Sequence, residues 1–236
     1  YVHALHHFTG SKEHHVQLRH LAKQQGLSIN EYGIMDSAGQ VSRFGREAQI
    51  YEKVGLCYIP PELREGKDEL QAAGQGALPK LVEYDDIAGV FHAHTVDSDG
   101  AHTLEEMAQG TMERGWSYLG ITDHSQTAVY AGGLKVEAIE KQRKAIGLFN
   151  ESHPEFTIFS GIESDILSDG QLDYPDDILA QFDFVIASVH SAFRQSKEEM
   201  TRRILKAMEN KYVSMLGHAT GRILLVREGY ALEMEA

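Results

Sequence analysis

Residues 89–100 read GVFHAHTVDSDG and pack His92, His94 and Asp99 into eight positions. Along a strand, positions i and i+2 share one side, so His92 and His94 present two imidazoles together while Ala93 points away. Neutral imidazole is the commonest protein ligand for a metal ion, although a single His-x-His also suits an ordinary polar strand end. Four further apolar runs tip the balance. YLGITDHS carries His124 near its end, FTIFSGIESDI carries Glu163, FDFVIASVHS carries His190 and VSMLGHATG carries His218. Histidines satisfied by core hydrogen bonds have no reason to share the same end of every strand. The set His92, His94, Asp99, His124, Glu163, His190 and His218 therefore predicts a metal cluster with ligand types that suit zinc, manganese or iron. Two cations about 3.5–4 Å apart lower the pKa of a shared water and stabilise the leaving oxygen during in-line attack at phosphorus. Phosphodiesters, DNA 3′ ends and phosphate monoesters all suit such chemistry.

A cluster of this kind needs strands whose C-terminal ends open on one face. The five runs alternate with helical segments around TLEEMAQGTMERG, KVEAIEKQRKAIGLFNE, YPDDILAQ and KEEMTRRILKAMEN, the alternation of parallel βα units. In a parallel βα barrel all the strand C-termini meet on the face where active sites are built. Arg222, just past His218, either clamps a substrate phosphate in bidentate fashion or pairs at the surface with Glu228 or Glu233. Asp123 either hydrogen-bonds the backbone or orients His124, Asp97 and Asp165 read as turn or supporting residues, and His102 reads as surface at a helix start.

The preceding residues form a smaller α/β pattern. Ser11 is an N-cap for a helix through KEHHVQLRHLAKQQ, with Val16, Leu18, Leu21 and Ala22 as its apolar side and Gly26 as its stop. A strand-like LSINEYGIM, a turn at DSAGQ and a helix near REAQIYEKVG follow, and Pro60 and Pro61 close the unit near Gly66. Residues 67–83 read as a helical turn and a linker. Residues 1–66 balance seven Lys/Arg with seven Asp/Glu, whereas residues 67–236 set fifteen against twenty-eight and so carry all of the net charge of −13. That acidity argues against broad non-specific nucleic-acid binding there, apart from the positive charge a metal cluster supplies. The single Cys57 excludes an intrachain disulfide, and no apolar run approaches the roughly 20 residues that span a bilayer. With no signal peptide in view, a cytoplasmic protein without membrane contact is expected. The opening YVHALHH reads as the middle of a folded segment and the closing GYALEMEA as a helix just starting, so a fragment is expected.

The motifs HAHTVDSDG, GITDHS, GIESDI, ASVHS and GHATGR, in that order, resemble the metal motifs of the PHP (polymerase and histidinol phosphatase) domain. FTGSKEHHVQLRHLAKQQGLSINEYG with YIPPELREG resembles the end of a family X DNA polymerase core. The whole chain is similar to bacterial family X DNA polymerases, in which a PHP domain follows the polymerase core. The resemblance implies an α/β fold in which a small thumb-like subdomain at 1–66 and a linker at 67–83 precede a PHP domain at 84–236. That domain would be a distorted, TIM-like (β/α)7 barrel, C-terminally incomplete, with a trinuclear metal centre. His92 and His94 would bind one metal, Glu163 would bridge it to a second completed by His190 and His218, and Asp99 and His124 would belong to the third. A further Asp-x-His pair of the family lies past residue 236. Glu163, His94 and Arg222 form the expected catalytic set, with up to three divalent metals, manganese or zinc, and with magnesium for the polymerase core.

The resemblance further implies that Phe8, Thr9, Gly10 and Ser11 form the turn that holds the incoming deoxynucleotide, Gly10 letting the backbone approach the sugar. His15 and Arg19, at i and i+4, would touch the minor-groove edges of nucleotide and template, although His7 stands where Tyr is common and His15 where Asn is common. His3, His6, His14 and His20 are expected on a solvated surface. The implied activity is a metal-dependent 3′–5′ exonuclease or phosphoesterase in DNA repair, acting on primer-template, gapped DNA or 3′ ends. The alternatives are a stand-alone PHP phosphatase on a small phosphomonoester, against which the FTGSKEHH and YIPPELREG preface counts, and a non-catalytic structural PHP domain, against which seven unsubstituted ligands count.

Overall fold

The computed structural model describes residues 1–235 and divides into two compact units, residues 1–81 and the residues from Val82 onward. In the first, α1 (Val2–Phe8) leads into α2 (Lys12–Gln24). Ser11 caps α2, its Oγ accepting the His14 N–H at 3.1 Å, a contact that contributes about 1 kcal/mol. The buried side of α2 differs from the expected one. Leu18 and Ala22 are inside, but Val16 is exposed, and His14 and His15 take the inward positions. A hairpin of β1 (Ser28–Asn30) and β2 (Gly33–Met35) continues to β3 (Val41–Ser42), all antiparallel in the order β1-β2-β3. Next, α3 (Ala48–Glu52) contributes Ile50 and Tyr51 to a core shared with Leu18, Ile34 and Ile59. Residues 67–83, expected as a helical turn and a linker, carry α4 (Glu69–Gln75), whose Ala73 joins that core. Glu69, Leu70 and Ala73 share one face of a single helical stripe, which is enough to fasten the segment to this unit.

The second unit holds five parallel strands: β4 (Gly89–Ala93), β5 (Tyr118–Ile121), β6 (Thr157–Asp165), β7 (Phe184–Ser188) and β8 (Val213–Leu216), neighbours in the order β4-β5-β6-β7-β8. Between them run α5 (Leu104–Met112), α6 (Val136–Ser152), α7 (Asp176–Leu179) and α8 (Lys197–Met208). Thr103 with Glu106 and Ser196 with Glu199 form capping boxes that fix where α5 and α8 begin. Central strands of a parallel sheet are covered on both faces and read as continuous apolar runs; FVIAS of β7 is buried at all five positions.

The sheet is curled. Laid flat, β4 and β8 would stand about 19 Å apart at ~4.8 Å per strand, yet the rings of His92 and His218, which leave those edge strands, have centroids 6.0 Å apart. On the concave side Phe91 packs edge-on against Phe184 at 4.9 Å and beside Phe159 at 5.6 Å. Gly120 and Gly161 make room for them, since a Cβ would lie 2.2 Å from Phe91 and 2.5 Å from Phe184 respectively. This is the expected TIM-like α/β architecture, with five of the seven strands in view. The helix expected to start in GYALEMEA does not form among the described residues: Leu232 packs against the α8 side of the core, and the Glu233 N–H is tied to Thr201 Oγ1.

Candidate metal centre

All seven residues expected as ligands meet at the C-terminal ends of β4–β8, around the buried carboxylate of Glu163. Its Oε1 lies 3.0 Å from His92 Nε2, 3.3 Å from His190 Nε2 and 2.9 Å from His218 Nε2. Its Oε2 lies 3.5 Å from His94 Nε2 and 3.0 Å from His124 Nδ1. Asp99 stands at the rim, 3.2 Å from His94 Nδ1 and 3.5 Å from His124 Nε2. Gly100 makes that approach possible, because a Cβ there would lie 2.2 Å from the His94 carbonyl oxygen.

Strand alternation alone does not aim His92 and His94. The register of β4 on β5 slips between Val90 and Ala93, and His92 has φ 65°. A bulge thus turns His92 into the cluster. His218 is also left-handed, at φ 25°. Non-glycine residues in this region cost on the order of 1–3 kcal/mol each and persist only where the surroundings over-determine them.

Burial would raise the pKa of Glu163, but the hydrogen-bonding imidazoles of His190, His218 and His92 hold its carboxyl well below the usual range. His94 is lowered by burial first and then by its neighbour His124. His190 is likewise lowered by burial, yet the hydrogen bonds to Asp165 and Glu163 outweigh this and push it up to about 9. Asp165, two residues beyond Glu163 on the same strand face, hydrogen-bonds His190 Nδ1 and so points Nε2 at the cluster. Thr127 Oγ1 donates to the other Asp165 oxygen at 3.0 Å.

The donor set fits divalent cations. Three groups have ligand atoms within 4.8 Å of one another: His92, His94 and Glu163; His94, Asp99 and His124; His124, Glu163 and His190. His94, His124 and Glu163 are each shared by two groups, and Asp99 and His124, which the resemblance assigns to a third site, come together in the group that also holds His94. His94 Nδ1 and His124 Nδ1 are buried without a hydrogen bond, and His190 Nε2 faces His218 Nε2 at 3.2 Å. Divalent cations held by these groups would use lone pairs that are otherwise unmet and would compete with the proton on His190.

Other expectations fare variously. Asp123 is fully buried and bonds the Thr95 N–H at 2.7 Å, Thr95 Oγ1 at 2.8 Å and Gln142 Nε2 at 2.7 Å, making it a backbone anchor for the loop after β4. Asp97 accepts from Gln142 Nε2 at 2.9 Å. His102 is exposed at the start of α5, 3.6 Å from Glu106. Arg222 is exposed, and its proposed partner Glu233 is taken by Lys197. Tyr130 and Arg227 were missed. The Tyr130 ring stands 6.0 Å from that of His124 and 6.4 Å from that of His190. Burial pushes its phenol up to about 12, the carboxylates of Asp165, Glu163 and Asp99 act in the same sense, and Arg227 opposes them. Nothing in the spacing of either residue signals this; Asp165, at i+2 from Glu163, was signalled.

In the first unit Phe8 is exposed and Gly10 has φ 97°, its Cβ position 2.5 Å from Arg64 Cβ. Arg64, itself buried, donates to Thr9 Oγ1 at 2.6 Å and to Glu47 at 3.1 Å. His15 is buried, with Nε2 2.9 Å from the Thr9 carbonyl, and Arg19 Nε donates to the His15 carbonyl at 3.1 Å. His15 thus braces the FTGS loop. His20 is exposed, but His3, His6 and His14 are buried, against expectation. His6 and His14 converge on the Tyr51 hydroxyl at 3.1 and 3.0 Å, and His14 Nδ1 meets Glu69 at 2.7 Å. An imidazole with two partners buries as readily as an aromatic ring, which a polar-residue count misses.

Among known families, the DNA polymerase beta thumb matches residues 4–65 and the PHP domain matches residues 91–235. The chain is 41% identical over 98% of its length to the DNA polymerase/3′-5′ exonuclease PolX of Bacillus subtilis, covering 40% of that protein. It is 33% identical over 54% of its length to a probable phosphatase of Caldicellulosiruptor bescii and 35% identical over 54% to one of Clostridium novyi, covering 52% and 51% of them. The chain thus spans about half or less of these relatives. No helix among the described residues is long and apolar enough to cross a membrane.

Proposed function

The chain belongs to the PHP domain family, and on that footing we propose that its second unit is a metal-dependent phosphoesterase that degrades DNA from the 3′ end, as part of a longer family X polymerase. The observation that carries this reading is Glu163, a buried carboxylate touched by five imidazoles from four other strand ends. Divalent cations held there, manganese or zinc, would supply Lewis-acid charge at phosphorus and a more acidic water. The chain's own part is to hold them: Glu163 offers one oxygen to each side, His190 is kept in one tautomer by Asp165, and Asp99 adds negative charge at the rim. His94, shared by two groups, joins the halves of the cluster. DNA is favoured over a small phosphomonoester by the thumb-type unit at residues 4–65. Within that unit Phe8, Thr9, Gly10 and Ser11 would meet a deoxynucleotide, braced by Arg64 and His15, while exposed Arg19 would meet the template.

The test uses the full-length enzyme and 3′-labelled DNA with manganese. His94→Ala should abolish release of nucleotides while primer-template binding persists, and Arg19→Ala should weaken that binding while hydrolysis of single strands persists. Equal loss of both in either folded variant would overturn the division of labour.

A further inference from the structure

Directly after His218 the chain makes a hairpin whose apolar tip is left uncovered by the described residues. Leu224, Leu225 and Val226 are 70%, 107% and 79% exposed. The Ile223 N–H donates to the Arg227 carbonyl and the Arg227 N–H to the Ile223 carbonyl, both at 2.9 Å, so the tip is a closed turn. Leu225 sits at its apex with φ 63°, where glycine or asparagine would be free of strain. Consecutive apolar side chains displayed on such a turn are the mark of a contact surface.

The root of the hairpin is fastened to the cluster. The Gly221 N–H donates to the His218 carbonyl at 2.7 Å, the Tyr230 N–H donates to the Thr220 carbonyl at 3.1 Å, and Arg227 Nε donates to the Gly221 carbonyl at 2.9 Å. The Arg227 guanidinium lies over the Phe193 ring at 4.1 Å, and its charge is felt at Tyr130, beside His124 and His190. In a part of the chain where fifteen basic residues face twenty-eight acidic ones, Arg222 and Arg227 flank the apolar run on both sides. Apolar centre and cationic flanks complement the end of a DNA duplex, where an exposed base-pair face is bordered by phosphates.

We propose that this hairpin is a wedge: Leu224–Val226 press on the terminal base pair of a duplex end and unstack it, and Arg222 and Arg227 steer the freed 3′ strand to the cluster. The inference rests on the DNA reading above and adds to it the step by which paired ends become substrates.

The experiment compares the full-length enzyme with its Leu224→Ser/Leu225→Ser variant. With EDTA present, a duplex carrying 2-aminopurine at its 3′ terminus should brighten on binding the wild type and stay dim with the variant. With manganese, the variant should degrade blunt duplex about tenfold more slowly while single strands are cut at the wild-type rate. A wild type that leaves the fluorescence unchanged, a variant that opens and degrades duplex ends normally, or a variant with a lowered melting temperature, which would assign the tip to protein packing, each overturns the wedge. If the wild type opens ends in EDTA but releases no nucleotide with metal, the hydrolytic reading fails and the wedge stands.

Discussion

His190 Nε2 lies 3.2 Å from His218 Nε2, and both face the same oxygen of Glu163. Two imidazoles so placed repel each other if both are protonated and are satisfied by one cation between them. The 236-residue chain should therefore retain at least one divalent cation through dialysis, read by elemental analysis, and His190→Ala/His218→Ala should lose it. A folded wild type that takes up neither manganese nor zinc on reconstitution would sink the metal reading.

Glu163→Gln keeps the shape of the hub but replaces one anionic oxygen with an amide that donates hydrogen bonds. In the full-length enzyme, manganese-dependent release of nucleotides from DNA 3′ ends should fall by about a hundredfold or more, the scale of losing metal activation of water. DNA synthesis should survive. Near-normal degradation by this variant would place the chemistry elsewhere.

Asp165→Asn should leave the fold intact while releasing His190 from its fixed tautomer. Metal affinity should drop by about 10- to 100-fold, measured by competition with a chromogenic chelator. An unchanged affinity would mean that packing alone orients His190.

Acid should weaken the first unit before any ligand question arises. Burial first, then Arg64, His15 and His14, lower His6 from 6.5 to about 3, and His3, His14 and His15 are lowered as well. Above pH 6.5 folded and unfolded states are both neutral at these sites. As pH falls toward 3 the unfolded state takes up protons that the folded state refuses, so stability is lost on acidification. Urea midpoints from hydrogen exchange in α2 should decline between pH 7.5 and pH 5, and His6→Gln should flatten that slope. A midpoint independent of pH would show that these imidazoles are protonated in the folded unit.

The five strands and the seven cluster residues were legible because strand ends repeat one residue type at one position, and because a parallel sheet must open its C-termini on one face. What escaped had other causes. The left-handed turn at His92 depends on a bulge between strands far apart in sequence, so alternation aimed the residue correctly for the wrong reason. The buried state of His3, His6 and His14 depends on Tyr51, Glu69 and the Phe44 N–H, partners dozens of residues away. The helical turn expected after Gly66 is α4, but no periodicity showed that its Ala73 joins the core of the first unit. Arg227 and Tyr130 reach the rim through loops, whose paths no periodicity encodes.

Strand order along the sheet follows order along the chain, and this gives the site a history. During synthesis His92 emerges first and His218 last, each joining the edge of a sheet that grows in one direction. Until β8 docks, Glu163 has no neighbour on that side, and a nascent chain holds only part of a cluster. The last of these five strands also carries the root of the hairpin. His218 and the hairpin proposed to act on strand ends therefore arrive together, and a chain stalled before Val213 would lack both.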